Sequence, residues 1–162
     1  MKKLLFFNML CAALVLTIHV ANAQHGKLPP FRMQTTSGQI FKAENLPIGK
    51  PIILIYFDPH CDHCDQLMKA FFSRPADFSK ASVAMITYEH PTNLQAFEKT
   101  FHTKDHPNLY TGTEGQSFFV RNYYGISSLP FVALYNSLGD LVKEYRVNPS
   151  LPDLKTELRK TN

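Results

Sequence analysis

The stretch that decides the fold is "PIILIYFDPHCDHC", residues 51–64. It begins with a continuous apolar, β-branched run over 51–57, which is typical of a strand buried on both faces. From Asp62 onward, apolar residues recur with the three- and four-residue spacing of one helix face. The two cysteines therefore lie where a buried strand passes into a helix, with Cys61 at the helix N-terminus and Cys64 one turn later on the apolar side.

Hydrophobic periodicity and turn residues predict further elements on both sides of this stretch. In chain order these are two short strands within 31–47, a buried strand at 82–89, helices at 92–101 and 115–124, a hairpin at 130–147 and a C-terminal helix at 150–160. No strand is predicted between the helices at 92–101 and 115–124. The alternation of helices and buried strands predicts an α/β domain with a central mixed sheet flanked by helices and an N-terminal β-hairpin.

The first 23 residues have the pattern of a secretory signal peptide. Lys2 and Lys3 precede an apolar run, and small residues at 21–23 suit cleavage before Gln24. An uncleaved membrane anchor is the alternative, and a lipoprotein is disfavoured because Leu10 precedes Cys11. We therefore expect a signal peptide over 1–23, one domain over 24–162, and export to a periplasm or out of the cell.

Net charge and cysteine content limit the classes of function that the chain can have. Loss of Lys2 and Lys3 lowers the net charge from +4 to +2, which is too mild to indicate nucleic-acid binding. Cys11 leaves with the signal peptide, so Cys61 and Cys64 are the two cysteines of the exported chain. A disulfide that closes so short a loop restricts the unfolded chain little. The pair is therefore expected to serve chemistry in an oxidising compartment.

The predicted location of the pair assigns different roles to the two thiols. A helix N-terminus carries unpaired N–H groups and a partial positive charge, and both stabilise a thiolate. We expect Cys61 to be the nucleophile and Cys64, on the apolar side, to resolve the mixed disulfide. A protonated His63 would favour the thiolate form of the pair, whereas Asp62 would oppose it. Their net effect does not follow from the sequence.

The quoted stretch, together with "ISSLPFVALYNSLGDLVKEY" at 126–145, resembles the thioredoxin superfamily. The lead-in at 29–57 is similar to that of exported redoxins of the TlpA/ResA type, which are thiol-disulfide oxidoreductases. Pro130 follows Cys61 by 69 residues, which leaves room for the extra helical insert of that branch before the cis-proline. The resemblance implies a thioredoxin-like fold.

The same resemblance implies roles for individual residues. Cys61 and Cys64 correspond to the redox pair, Pro130 to the family's cis-proline, and Leu129 to the residue whose backbone pairs with the bound substrate. It further implies protein cysteines as substrates, a partner that recycles the pair, a monomer and no cofactor. Contact with a membrane would arise only through an uncleaved anchor.

Three departures from the family pattern are visible. The chain has no tryptophan, so the usual tryptophan before the motif is absent. The positions at which relatives carry a buried carboxylate are Ile55 and Leu67 here. Deprotonation of Cys64 must therefore rely on Asp62, Asp65, a histidine or water.

Three other functions compete with the redox interpretation. The segment "HCDHCD" at 60–65 could bind copper or another metal, although relatives that handle copper space their cysteines one residue further apart. A peroxide-reducing enzyme would need a threonine three residues before its reactive cysteine, where this chain has Asp58. The third alternative is a non-catalytic binding domain. The sequence favours an exported thiol-disulfide oxidoreductase, with the direction of electron flow left open.

Overall fold

The computed structural model describes residues 26–161, so the predicted signal peptide over 1–23 and its cleavage site lie outside the described residues. The strands are β1 (Arg32–Gln34), β2 (Ile40–Lys42), β3 (Ile52–Tyr56), β4 (Ser82–Thr87), β5 (Leu109–Thr113), β6 (Phe131–Tyr135) and β7 (Leu141–Tyr145). The helices are α1 (Asp62–Phe72), α2 (Pro91–Phe101), α3 (Phe119–Tyr124) and α4 (Leu151–Lys160). Each predicted strand is present, and so is each predicted helix except the one at 115–124, which is divided.

The strands form one mixed sheet in the order β2-β1-β5-β4-β3-β6-β7. Strands β3, β4 and β5 run parallel, whereas β1, β2, β6 and β7 join by antiparallel pairing. Strand β3 pairs with β4 on one side and β6 on the other, and all five of its residues are buried. The predicted α/β, thioredoxin-like architecture with an N-terminal hairpin is therefore confirmed.

Strand β5 is the element that the sequence did not predict. It lies between β1 and β4, within the segment expected to hold an extra helical insert, so that segment contains helix, strand and helix. The predicted helix at 115–124 is also divided, because Phe118 adopts a left-handed conformation (φ 46°) between a 3-10 turn at Gly115–Ser117 and α3. The C-terminal helix begins as expected, with the Ser150 side chain accepting a hydrogen bond from the Asp153 N–H.

The sheet separates two hydrophobic cores, because alternate residues of each buried strand face opposite sides. In β3, Ile53 and Ile55 point to the core beneath α1, whereas Ile52, Leu54 and Tyr56 point to the core beneath α3. The first core also contains Cys64. Strand β3 therefore ends, and α1 begins, at one rim of the sheet.

Candidate active site

Cys61 and Cys64 lie side by side in the first turn of α1. Cys61 is the N-cap residue, and its Sγ accepts a hydrogen bond from the Cys64 N–H at 3.4 Å. Its carbonyl oxygen accepts from the Asp65 N–H at 2.9 Å, which begins the helical hydrogen-bond pattern. Cys61 is half-buried, and both thiols are unbridged. The local sequence therefore presents the Cys61 sulfur at a helix N-terminus, where it can be reached from outside.

Cys64 is 1% exposed and packs in the core between α1 and the sheet. Burial raises the pKa of its thiol well above the usual range, while a hydrogen bond from the Asp58 backbone N–H opposes this shift. The neighbouring Cys61 raises the Cys64 pKa further. Cys64 therefore stays protonated in the resting dithiol and needs a base before it can attack.

The loop before β6 faces the Cys61 thiol. The Leu129–Pro130 peptide bond is cis, as the resemblance implied. The Leu129 carbonyl oxygen lies 3.9 Å from Cys61 Sγ. Pro130 also lines a groove of about 570 Å³ that runs between α1 and the loop before α4, where His63 forms part of the wall. The structure thus brings Cys61, Leu129, Pro130 and His63 together at one rim of the sheet.

Asp62 and His63, the two residues expected to tune the thiol pair, are more exposed than the cysteines. Asp62 is the first residue of α1, and its side chain is exposed, as is that of His63. Charges in such positions act through water, which screens them strongly. Asp65 forms an ion pair with Lys69 across one helical turn, at 2.7 Å.

Asp58 was not among the predicted site residues, yet its backbone contacts the cysteine pair. Its backbone oxygen accepts a hydrogen bond from the Cys61 N–H at 3.1 Å. Its side chain accepts one from the His60 N–H at 2.7 Å and another from the Tyr88 hydroxyl at 2.7 Å. This last bond is the leading cause that raises the pKa of Tyr88 to about 12. Asp58 offers no hydroxyl at the position where a peroxide-reducing enzyme would need a threonine.

The metal alternative concerns residues in the described part of the chain, whereas the membrane-anchor alternative concerns residues 1–23, which lie outside it. Within residues 26–161, no three histidine, cysteine, aspartate or glutamate side chains converge closely enough to hold a metal ion together. None of the helices described there is both long and apolar enough to cross a bilayer.

Several solved structures share this fold. A secreted disulfide oxidoreductase of Mycobacterium tuberculosis, homologous to DsbE of E. coli, is 18% identical with a TM-score of 0.67, covering 81% of this chain and 96% of its own. A thiol-disulfide oxidoreductase from Bacteroides fragilis is 13% identical with a TM-score of 0.68, covering 83% and 98%. A peroxiredoxin-like protein from Aquifex aeolicus is 12% identical with a TM-score of 0.69, covering 85% and 86%. At these identities the likeness establishes the fold.

Sequence comparison supplies the family. No curated protein matches the chain. The model of the AhpC/TSA family, in contrast, matches residues 25–161, which include the whole of the described region. Together with the fold, this match confirms the resemblance to the thioredoxin superfamily and, at the level of enzyme class, the prediction of a thiol-disulfide oxidoreductase. The chain belongs to the AhpC/TSA family.

Proposed function

We propose that the protein is an exported thiol-disulfide oxidoreductase that exchanges disulfides with cysteines of envelope or secreted proteins through Cys61 and Cys64. The observation that carries this proposal is the unequal exposure of two adjacent thiols. Cys61 is half-buried at the helix N-terminus, and Cys64 is buried one turn behind it, with its N–H 3.4 Å from Cys61 Sγ. Attack from outside requires an accessible sulfur, and resolution requires a second one held close to it.

In the reducing direction, the Cys61 thiolate attacks one sulfur of a substrate disulfide. The substrate S–S bond breaks, a mixed disulfide with Cys61 forms, and the first substrate thiolate leaves. Cys64 then attacks Cys61 Sγ, which releases the second substrate thiolate and closes the Cys61–Cys64 disulfide. Two electrons pass from the pair to the substrate, and a thiol-donating partner must restore the dithiol. The same steps in reverse oxidise a substrate dithiol.

Leu129 and Pro130 are proposed to bind the substrate segment that carries the target cysteine. The Leu129 carbonyl faces Cys61 Sγ at 3.9 Å, so a strand entering there would meet both a backbone acceptor and the nucleophile. The groove beside Pro130 could receive side chains that flank the target cysteine. His63, in the wall of this groove, and Asp62 at the helix start are proposed to adjust the thiol-disulfide equilibrium.

The export of the protein rests on the leader at 1–23, with cleavage before Gln24. The likeness to a secreted disulfide oxidoreductase of Mycobacterium tuberculosis agrees with this proposal. Outside a reducing cytoplasm, a pair of this kind needs a dedicated recycling partner. We propose that the mature domain acts as a monomer.

Cysteine variants test the mechanism. Cys64→Ser should accumulate a mixed disulfide between Cys61 and a disulfide-containing model protein, visible by mass spectrometry and on a non-reducing gel. Cys61→Ser should form no adduct and show no exchange. A Cys64→Ser protein that turns over like the wild type would contradict the mechanism. Faster consumption of hydrogen peroxide than of protein disulfides by the wild type would favour the peroxidase alternative instead.

A further inference from the structure

The segment between α3 and β6, residues 125–130, carries Leu129 and Pro130 to the Cys61 thiol. Leu129 is half-buried and packs against both cores, and its carbonyl oxygen lies 3.9 Å from Cys61 Sγ. A loop that contributes to a binding site must itself be fixed by the groups around it. The position of the Leu129 carbonyl therefore depends on the contacts that hold this segment.

Arg146 directly follows β7, and its side chain reaches both ends of the segment. Its Nη1 donates a hydrogen bond to the carbonyl oxygen of Tyr124, the last residue of α3, at 2.8 Å. Its guanidinium carbon lies 5.5 Å from the ring centre of Phe131, the first residue of β6. One side chain therefore ties the end of α3 to the start of β6, the two points that residues 125–130 connect.

The backbone of Arg146 holds the segment at a third point. Its carbonyl oxygen accepts a hydrogen bond from the Ser128 hydroxyl at 3.0 Å. Ser128 immediately precedes Leu129, and Phe131 immediately follows Pro130. The contacts of Arg146 therefore lie on both sides of the two residues proposed to bind the substrate.

The guanidinium group is itself fixed by Glu144. Oxygen Oε2 of this carboxylate lies 2.8 Å from Arg146 Nε and 2.6 Å from Nη2. The Arg146 side chain is half exposed, so water screens its charge, and its influence on the loop comes mainly from the geometry of these contacts. A planar group with several fixed donors can contact Glu144 and Tyr124 while it packs on Phe131, which a lysine ammonium could not reproduce.

Arg146 also adjoins the other wall of the groove beside Pro130. The chain continues from Arg146 to Asn148 and Pro149, which line this groove of about 570 Å³ together with His63. The hydrogen bond between Ser128 and the Arg146 carbonyl therefore links the two loops between which a substrate segment would enter.

We propose that Arg146 is a positioning residue for substrate binding, which holds the Leu129 backbone at the place beside Cys61 that a protein substrate requires. This inference rests on the proposed function. A substrate strand that pairs with Leu129 depends on this place, because a hydrogen bond weakens steeply when its distance and angle are disturbed. A small disulfide that meets only the Cys61 sulfur makes no such bond, so its reaction does not require Arg146.

Two probes with the same leaving group separate these requirements. One is a short peptide rich in valine and threonine, whose central cysteine is joined by a disulfide to thionitrobenzoate, and the other is DTNB, which has no peptide segment. In a Cys64→Ser background, the Cys61 thiolate breaks the S–S bond of either probe, forms a mixed disulfide and releases thionitrobenzoate, which is followed by stopped-flow absorbance. We expect Arg146→Gln to lower the second-order rate constant for the peptide about fivefold, the effect of losing roughly one hydrogen bond, and to leave that for DTNB within about twofold.

Arg74→Gln is the matched control, because Arg74 is an exposed arginine that forms its ion pair with Asp77, beyond the C-terminal end of α1. It should change neither rate constant. Arg146→Lys should recover only part of the peptide rate constant, and Ser128→Ala should lower it about twofold. Urea denaturation of each variant confirms that it is folded under the assay conditions.

The ratio of the two rate constants decides the outcome. An equal loss with both probes would mean that Arg146 acts on the thiol or on the whole fold, and an unchanged peptide rate constant would mean that binding does not depend on Arg146. Either result would overturn the proposed role of Arg146. Release of a single equivalent of thionitrobenzoate from DTNB by the protein with both cysteines would instead overturn the proposed function itself.

Discussion

The two faces of the sheet bury side chains of different chemistry. The core beneath α1 consists largely of phenylalanine, leucine, isoleucine, valine and methionine around Cys64. The core beneath α3 contains three buried tyrosines, Tyr56, Tyr124 and Tyr135. The Tyr124 and Tyr135 hydroxyls hydrogen-bond to each other, and the Tyr56 hydroxyl donates to Glu114 at 2.6 Å. Buried hydroxyls are thus concentrated in the core beneath α3, whereas the core beneath α1 contains the Cys64 thiol and one buried tyrosine, Tyr145.

This difference suggests how the molecule keeps a reactive thiol in a packed interior. An apolar core around Cys64 disfavours its charged form and limits contact with water. The Cys61 sulfur and the helix N-terminus lie at the rim, where the reaction would take place. The opposite core can accept buried hydroxyls because each has a hydrogen-bond partner, and this core stabilises the sheet.

The largest expected effect concerns packing on the thiol-bearing face. Phe71 is fully buried and stacks on Phe78 with ring centres 4.7 Å apart. We expect Phe71→Ala to lower the free energy of unfolding by about 3–5 kcal/mol, measured by urea denaturation. Phe119→Ala is the matched control, since this ring is 40% exposed, and it should cost less than about 1 kcal/mol. Equal losses in the two variants would contradict the burial of Phe71 in this core.

A smaller effect is expected from the polar network on the opposite face. Glu114 accepts hydrogen bonds from the Tyr56 hydroxyl and from the Val120 N–H at 2.7 Å. Glu114→Gln leaves one of these buried donors without an acceptor, so we expect a loss of about 1–3 kcal/mol in urea denaturation. Glu44→Gln, at an exposed position, should change stability by less than about 0.5 kcal/mol. Both variants should keep the wild-type rate of disulfide exchange, and a slowed Glu114→Gln enzyme would mean that the two faces are coupled.

The smallest effect follows from the raised pKa of Cys64. Burial raises its pKa in the folded dithiol above the value in the unfolded chain, so the unfolded state loses this proton first as pH rises. Stability from this group is complete below about pH 8.5, where an unfolded cysteine titrates, and declines above it. Between about pH 7 and pH 9.5 we expect the reduced wild type to lose about 1 kcal/mol more than Cys64→Ser in urea denaturation. Parallel pH profiles of the two proteins would show that Cys64 is not buried in the reduced state.

The sequence predicted the fold well wherever the hydrophobic pattern was strong. The run at 51–57 and the helical spacing after Asp62 marked β3 and α1 within one or two residues. Strand β5, with the sequence LYTGT, was missed because it is partly exposed and contains Gly112, so it lacks a continuous apolar run. That glycine is required by packing, since a side chain there would collide with Met33 of β1. This packing constraint can be recognised only when the pairing of β1 with β5 is known.

The site, like the fold, could be predicted only where the sequence carries a local signal. The helix start identified Cys61 and Cys64, and the family pattern identified Leu129 and Pro130 as their neighbours. Asp58 was missed because its position depends on Tyr88, which lies 30 residues further along the chain. A contact set by the register of two parallel strands leaves no local signal in the sequence.

The central claim is that Cys61 and Cys64 form a reversible redox pair, and equilibration of the purified mature protein with glutathione buffers tests it most directly. With a metal chelator present, alkylation and mass spectrometry should show one two-electron transition between the dithiol and the Cys61–Cys64 disulfide. A potential near or below about −250 mV would indicate a reductant, and one of about −120 to −180 mV an oxidant or isomerase. Absence of an intramolecular disulfide at every glutathione ratio would contradict the account.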